Sequence, residues 1–231
     1  MAERRDALRA SLLSFIAAFV DTCGFVGLYG LFTSHVTGNF VMIGAEAVQH
    51  HAELVSKVLA MPVFLIAVLA TARTVAYLRS TRRQPLAPML CIQAALLSLA
   101  FAATLVLPVP QGPDSATTLI AGMLAVAAMG VQNALMRLEL AALPATTVMT
   151  LTVTQTTIDA LALASKGYRA SLTSEQTLQA RRRFERMWPT IGAFIAGAAC
   201  GAAGYTWIGF WSLLLPAALC LLLARWISRD D

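Results

Sequence analysis

The chain has 231 residues, of which 58% are hydrophobic and 13% are charged, whereas an average soluble domain has about 25% charged residues. This composition argues against a water-soluble globule. It leaves no room for a soluble catalytic domain, and the glycine-rich fingerprints of a Rossmann unit or a P-loop are missing. Residues 84–113, 115–136 and 187–224 carry no charge, and a membrane helix needs about 20 apolar residues. We therefore predict an all-α polytopic membrane protein.

The net charge of +5 comes from basic residues that cluster beside the apolar stretches. Four short segments contain Arg4, Arg5 and Arg9; Arg79, Arg82 and Arg83; Lys166, Arg169, Arg181, Arg182, Arg183 and Arg186; and Arg225 and Arg229. This distribution follows the positive-inside rule, by which basic loops stay in the cytoplasm. The expected partners of these charges are membrane lipid headgroups, and we expect no nucleic acid partner.

The first half of the chain predicts three full spans and one short segment. The first span covers about residues 8–32 and ends in a polar stretch at 33–39. An apolar piece at 40–48 follows, which at about 1.5 Å per residue crosses less than half of a bilayer core of about 30 Å. The next span starts near Ser56, and the span after it covers about residues 88–107.

The second half repeats this plan after a Pro- and Gly-rich boundary at 108–114. A span at about 117–140 is followed by a threonine-rich segment, a basic linker at 166–186, and spans at about 187–205 and 209–225.

Proline positions support the repeat. Pro189 follows Pro62 by 127 residues and Pro216 follows Pro88 by 128, while Thr150 follows Thr37 by 113 because the second half has a longer linker. We predict a first membrane repeat at 1–110 and a second at 111–231.

Topology decides how the two repeats are related. If both threonine-containing segments are broken or re-entrant, six full spans remain, and both basic linkers and both termini lie on the cytoplasmic side of the membrane. Three spans per repeat make the repeats inverted, an architecture common among secondary transporters. Eight full spans, with the Arg82 linker outside, remain the alternative.

Two further patterns concern packing. The linker at 171–186 has the pattern of a basic amphipathic helix that lies in the membrane interface. Ala193, Gly197 and Gly201 form a stripe of small residues for close helix packing, either within the bundle or in a homodimer.

Asp21 is the main candidate for chemistry, because an ionisable group in a membrane span is costly and is by default a functional hypothesis. It could accept a coupling proton, bind a cation or anchor a hydrogen-bond network, or it could be a structural carboxylate. The matching positions in the second half are Gln132 and Asn133, which are polar but neutral.

Thr37, Gly38 and Asn39 predict an interrupted helix. Glycine permits a positive φ, asparagine caps a helix start, and free backbone donors at that start would favour an anion or a carbonyl oxygen. A capped turn between two helices is the structural alternative.

The facing wall of the site is predicted in the second half. Its candidate residues are Thr147, Thr150, Thr152 and Gln155. Threonines at alternate positions share one face only in an extended segment, so we expect unwound backbone there.

Metal, cofactor and catalytic sites are not predicted. His35, His50, His51 and Glu53 lack ligand spacing and are interpreted as surface loop residues. The four cysteines lie in apolar stretches and match no metal motif.

Four motifs carry a resemblance to a known family. They are residues 20–21, the stretch 32–39, Gly130-Val131-Gln132-Asn133-Ala134-Leu135 and the stretch 146–152. With these motifs in order, the sequence resembles the YoaK-like family, a bacterial family of small integral membrane proteins classed as a domain of unknown function. Leu151 departs from the family pattern, which has glycine at that point. The resemblance implies membrane localisation and fold but no substrate.

These features predict a permease or channel for a small solute, with the Thr37 and Thr150 segments meeting near the midplane. A membrane scaffold or sensor that acts through the basic linker is the second hypothesis. An intramembrane enzyme ranks last, because no nucleophile with a base and no metal set is visible.

Overall fold

The computed structural model describes residues 2–48, 54–141, 143 and 149–230. This part of the chain is helical and contains no strand. The helices are α1 Ala2–Gly27, α2 Gly38–Val48, α3 Val55–Ser80, α4 Leu86–Val106, α5 Ala116–Leu138, α6 Met149–Ala164, α7 Lys166–Ala170, α8 Ser174–Ile208 and α9 Leu214–Asp230, with a 3₁₀ turn Gly209–Leu213 before α9.

Five stretches of the described chain are long and apolar enough to span a membrane. The last of them, Ser174–Arg229, contains both α8 and α9. The prediction of an all-helical, multi-pass membrane protein is therefore confirmed. The short helix α2 has 11 residues and cannot cross a bilayer by itself.

α1 and α5 form the centre of the bundle. In the most apolar window of each, 67% of the residues are buried, against 22% in α3. Apolar side chains of α4 and α9 pack against them in a shared core that includes Phe19, Leu97, Met129 and Leu213. α3 therefore presents most of its surface to lipid.

Helix directions follow from contacts at both ends of each pair. α1 and α8 run parallel, because Gly197 lies against the Phe15 backbone and Gly201 against the Phe19 backbone. At both positions a Cβ atom would overlap the carbonyl oxygen of α1. The stripe of small residues is thus used inside the bundle.

α3 and α5 also run parallel. The Ser56 amide donates to Asp114 Oδ1 over 3.1 Å at one end, and Arg79 donates to the Leu138 carbonyl over 2.8 Å at the other. α1 and α5 are antiparallel, since Gln132 donates to the Leu13 carbonyl, whereas Gly122, earlier in α5, lies against the Leu28 side chain just after α1.

We call the end of the bundle that holds Arg79, Arg225 and Arg229 the basic end. α1 starts there, and the residues near 110 lie at the opposite end. The first half contains α1, the short α2, α3 and α4, and the second half contains α5, the shorter α6, the five-residue α7, the long α8, and α9 after a 3₁₀ turn.

Three predicted elements differ from the structure. The first helix ends at Gly27, because Tyr29 and Gly30 adopt positive φ values of 56° and 77° and turn the chain. The amphipathic linker is helical from Ser174 onward, but it is not a separate helix. A capping box formed by Thr173 and Gln176 starts α8, which contains both the linker and the following span.

The prediction of unwound backbone after Thr150 is wrong, because residues 149–164 form α6. Threonines tolerate this helix since their hydroxyls return hydrogen bonds to carbonyls one turn earlier. Thr154 donates to the Thr150 carbonyl over 2.9 Å and Thr156 to the Thr152 carbonyl over 2.7 Å.

Candidate functional site

The chain folds back into the bundle after α1, and the carboxylate of Asp21 holds the returning segment. We call residues 32–39 the Asp21 loop. Asp21 Oδ1 accepts hydrogen bonds from the amides of Thr33 and Ser34, each over 2.7 Å, and from Thr33 Oγ1 over 3.2 Å. Asp21 is only 6% exposed. These charge-assisted bonds compensate part of the cost of a buried carboxylate.

The second oxygen of this carboxylate binds a histidine. His35 Nδ1 lies 2.6 Å from Asp21 Oδ2, and the His35 side chain keeps 32% of its surface accessible, against 8% for Asp21. The imidazole also contacts the Phe194 ring of α8 edge-on, with centroids 5.7 Å apart. His35 thus lies in a loop and is partly accessible, as interpreted, but its contact with Asp21 was not anticipated. This partner could not be found from the sequence, because the turn at 29–30 that returns the polar stretch toward Asp21 lies inside the predicted first span.

Asn39 closes the Asp21 loop. Its side chain is 1% exposed, donates to the Phe32 carbonyl over 2.8 Å and accepts from the Phe32 amide over 2.9 Å. Asp21 thus binds the backbone amides of the Asp21 loop, and Asn39 binds the backbone of its first residue, Phe32.

Two expectations about this loop are corrected. Gly38 does not have a positive φ; its missing side chain matters because a Cβ would lie 2.9 Å from the Phe32 ring. The first amides of α2 are not free donors, since those of Gly38, Asn39 and Phe40 donate to the carbonyls of residues 35, 36 and 37. The Thr37 side chain is exposed.

In the second half, Gln132 and Asn133 lie on α5. Gln132 is fully buried and joins three helices, because it donates to the Leu13 carbonyl over 2.8 Å and accepts from Gln93 Nε2 over 2.7 Å. Asn133 is partly buried and donates to the Met129 carbonyl over 2.9 Å.

The remaining candidates lie on α6 or outside the described residues. Thr150 is exposed, Thr152 is buried, and Gln155 donates to Asp159 Oδ1 over 3.0 Å. Thr147 lies outside the described residues, as do His50, His51 and Glu53. α2 packs against α3, whereas α6 packs against α7 and α8.

Two buried ion pairs were missed by the sequence reasoning. Lys57, at the start of α3, is 1% exposed; its Nζ lies 2.9 Å from Glu46 Oε1 of α2 and donates to the Tyr29 carbonyl over 3.1 Å. In the second half, Asp159 of α6 is 1% exposed, and Arg183 of α8 donates to both its oxygens over 2.8 and 3.0 Å.

The two ion pairs occupy corresponding positions. Asp159 follows Glu46 by 113 residues, the separation that also relates Thr150 to Thr37. Each pair fastens a short helix to the long helix that comes after it. The two acids could have been paired from the sequence, because adding 113, the offset between Thr37 and Thr150, to the number of Glu46 gives Asp159.

The pairs also lie at opposite ends of the bundle. Lys57 adjoins Tyr29, whose hydroxyl donates to the Pro110 carbonyl away from the basic end. Arg183 lines a cavity of about 620 Å³ together with Asp6 and Arg182, where α1 and α8 start.

Among the described residues, no group of three or more His, Cys, Asp or Glu side chains is placed to bind a metal ion.

Comparison with known proteins gives one match. A family model described as "Protein of unknown function (DUF1275)" matches residues 9–226. No curated protein and no solved structure matches the chain.

Proposed function

Because the chain belongs to the family described as Protein of unknown function (DUF1275), we propose its function from its own geometry: it is a proton-coupled permease for a small solute. The observation that carries the proposal is the contact between His35 and Asp21. We further propose that the protein is a YoaK-like protein of the bacterial inner membrane, with both termini cytoplasmic.

The contact supports proton coupling for a chemical reason. A carboxylate that only anchors a loop would be satisfied by backbone amides, as Asp21 Oδ1 is. Its other oxygen instead binds an imidazole, the side chain whose charge changes near neutral pH. Since His35 is four times as accessible as Asp21, a proton can pass between accessible space and the buried carboxylate through the ring.

Helix directions support inverted repeats. α1 corresponds to α5, and these helices run antiparallel. The parallel pair α1 with α8 corresponds to the parallel pair α5 with α3. Counting α8 and α9 separately gives six spans, three in each repeat, the arrangement used by many secondary transporters.

The ion pairs support a carrier with two gates. Alternating access requires one closure on each side of the site, and the Lys57 and Arg183 pairs fasten equivalent short helices at opposite ends. Breaking one pair at a time would release α2 or α6 from its long neighbour and open the site to one side.

The experiment is reconstitution in vesicles that contain a pH-sensitive dye. Amino acids, monocarboxylates, sugars and ammonium are added outside, and lumenal pH is recorded. We expect one class to move protons with the wild-type protein, and the response to be lost in Asp21→Asn and His35→Gln. Glu175→Gln, which changes an exposed acid at the start of α8, is the control. Solute-driven pH changes of wild-type size in both site variants would refute proton coupling by this pair.

A sensor or scaffold is the second candidate, favoured by one observation. The basic linker and the following span form the single helix α8, so a partner bound at Arg181 and Arg182 could shift the span directly. No flux for any solute class, together with capture of a cytoplasmic partner that depends on Arg181 and Arg182, would favour this function.

A further inference from the structure

A groove between α4 and α9 lies outside the site described above. It has a volume of about 960 Å³ and opens beside the basic end. Cys91, Leu221 and Leu222 contribute to its apolar floor, and Arg225, Ser228 and Arg229 form its rim. Leu221 and Leu222 are 46% and 59% exposed, so the floor faces the acyl chains of the bilayer.

The rim carries positive charge that no side chain within the described part of the chain balances. Arg225 and Arg229 are four residues apart and therefore share one face of α9. Both are exposed, and neither forms an ion pair or hydrogen bond with the described residues. The lining of the groove includes no acidic side chain. By contrast, Arg79 and Arg183 at the same end each bind a carboxylate.

Contacts on the other face of α9 show at which level of the membrane Arg225 and Arg229 lie. Ala224 and Ile227 are buried against the start of α1 near Ala10, and the Arg9 guanidinium lies 5.3 Å from the Trp226 ring centre. The rim is thus level with the first turns of a membrane span, where phosphate groups of the bilayer lie.

We propose that this groove binds an anionic phospholipid. The phosphate lies between Arg225 and Arg229, within reach of the Ser228 hydroxyl, and one acyl chain covers Cys91, Leu221 and Leu222. Charge complementarity selects this occupant: a two-fold contact with a second copy of the chain would bring the four arginines of both copies together. The proposal is independent of transport.

Lipid retention tests the proposal. The delipidated protein in detergent is mixed with phosphatidylglycerol or phosphatidylcholine, and bound lipid is counted by native mass spectrometry. We expect phosphatidylglycerol to be retained roughly thirtyfold more strongly, which corresponds to about 1 kcal/mol for each of the two interfacial arginines. The double variant Arg225→Gln, Arg229→Gln should lose this preference. The double variant Arg82→Gln, Arg83→Gln removes two exposed charges from the same end and should keep it.

Cys91 gives a second measurement that needs no change at the rim. In Cys200→Ser, Cys91 is the remaining exposed cysteine among the described residues, and phosphatidylglycerol should slow its reaction with a maleimide while phosphatidylcholine should not. Inorganic phosphate should neither protect Cys91 nor displace the lipid, because it lacks an acyl chain. Four results would overturn the proposal. These are equal retention of both lipids, an equal loss of lipid preference in both double variants, protection of Cys91 by inorganic phosphate alone, and binding of a second protein copy in place of lipid.

Discussion

The two halves of the molecule fasten their short helices with ion pairs that are buried in opposite ways. In the first half the cation is sealed: the side chain of Lys57 is 1% exposed and that of Glu46 is 17% exposed. In the second half the anion is sealed: the side chain of Asp159 is 1% exposed and that of Arg183 is 43% exposed. The two pairs therefore have the same order of charges along the chain, an acid on the short helix and a base on the later long helix, but they differ in which partner is fully buried. Because a buried charge without a partner is costly, whereas an exposed one is hydrated, the sensitive residue should be the acid in one half and the base in the other.

The largest effect is expected for Glu46→Gln. This change removes the negative charge beside the buried Lys57 ammonium and leaves it only neutral acceptors, the new amide oxygen and the Tyr29 carbonyl. It should lower the free energy of unfolding by about 3–5 kcal/mol. Lys57→Met should cost less, since the Glu46 side chain keeps 17% of its surface accessible, although its Oε2 is buried. Detergent unfolding followed by tryptophan fluorescence measures both. The double variant Glu46→Gln, Lys57→Met should recover part of the loss, and a larger loss for Lys57→Met than for Glu46→Gln would contradict the burial argument.

The mirrored prediction concerns the second half. Arg183→Gln leaves Asp159 buried with Gln155 as its remaining donor and should cost about 2 kcal/mol, in the range of a hydrogen bond to a charged group. Asp159→Asn should cost less than half of this value, because water reaches Arg183. The same unfolding measurement applies, and equal losses for the two variants would show that exposure does not control the cost.

The parallel helix pairs provide the next comparison. Gly197 lies against the α1 backbone, which cannot move aside, whereas a Cβ at Gly130 would lie 2.8 Å from Ala67 Cβ of α3. Gly197→Ala should cost about 1–3 kcal/mol by overpacking, and Gly130→Ala should cost less. Gly192→Ala is the matched control on α8, because nothing lies within 4 Å of its added carbon. Unfolding free energies that fall equally in Gly197→Ala and Gly192→Ala would exclude the close contact as the cause.

Much of this fold could be predicted from the sequence, because its signals are local. Apolar length placed the long helices, and Pro62 and Pro189 lie inside two of them, α3 and α8. The shortness of the 40–48 segment predicted α2. By contrast, the unwound segment predicted after Thr150 was wrong, since alternation of β-branched threonines resembles a strand pattern while their hydroxyls are satisfied by helix carbonyls.

The candidate site was predictable only in part. Asp21 and Asn39 attracted attention because a charge in a span and an amide after glycine are unusual by themselves. Their partners were not predictable from local patterns: the Thr33 amide reaches Asp21 only because the chain reverses at 29–30. Lys57 was missed for a different reason, because a single lysine near the end of an apolar segment normally reaches water.

The smallest predicted effect separates two glycines of α2 and tests the corrected role of Gly38. A Cβ at Gly38 would lie 2.9 Å from the Phe32 ring, which cannot retreat freely because Asn39 holds the Phe32 backbone at both its amide and its carbonyl. Gly38→Ala should therefore cost about 1 kcal/mol, at the low end for overpacking. Gly44 has nothing within 4 Å of an added Cβ, so Gly44→Ala should stabilise by up to about 1 kcal/mol through helix propensity. The second half has Leu151 at the position of Gly38, 74% exposed, so Leu151→Gly should destabilise by a similar amount through propensity alone. Thermal unfolding of the three variants measures the order. If Gly38→Ala stabilises as Gly44→Ala does, the ring contact does not constrain the Asp21 loop, and Asn39 and Asp21 hold it without help from glycine.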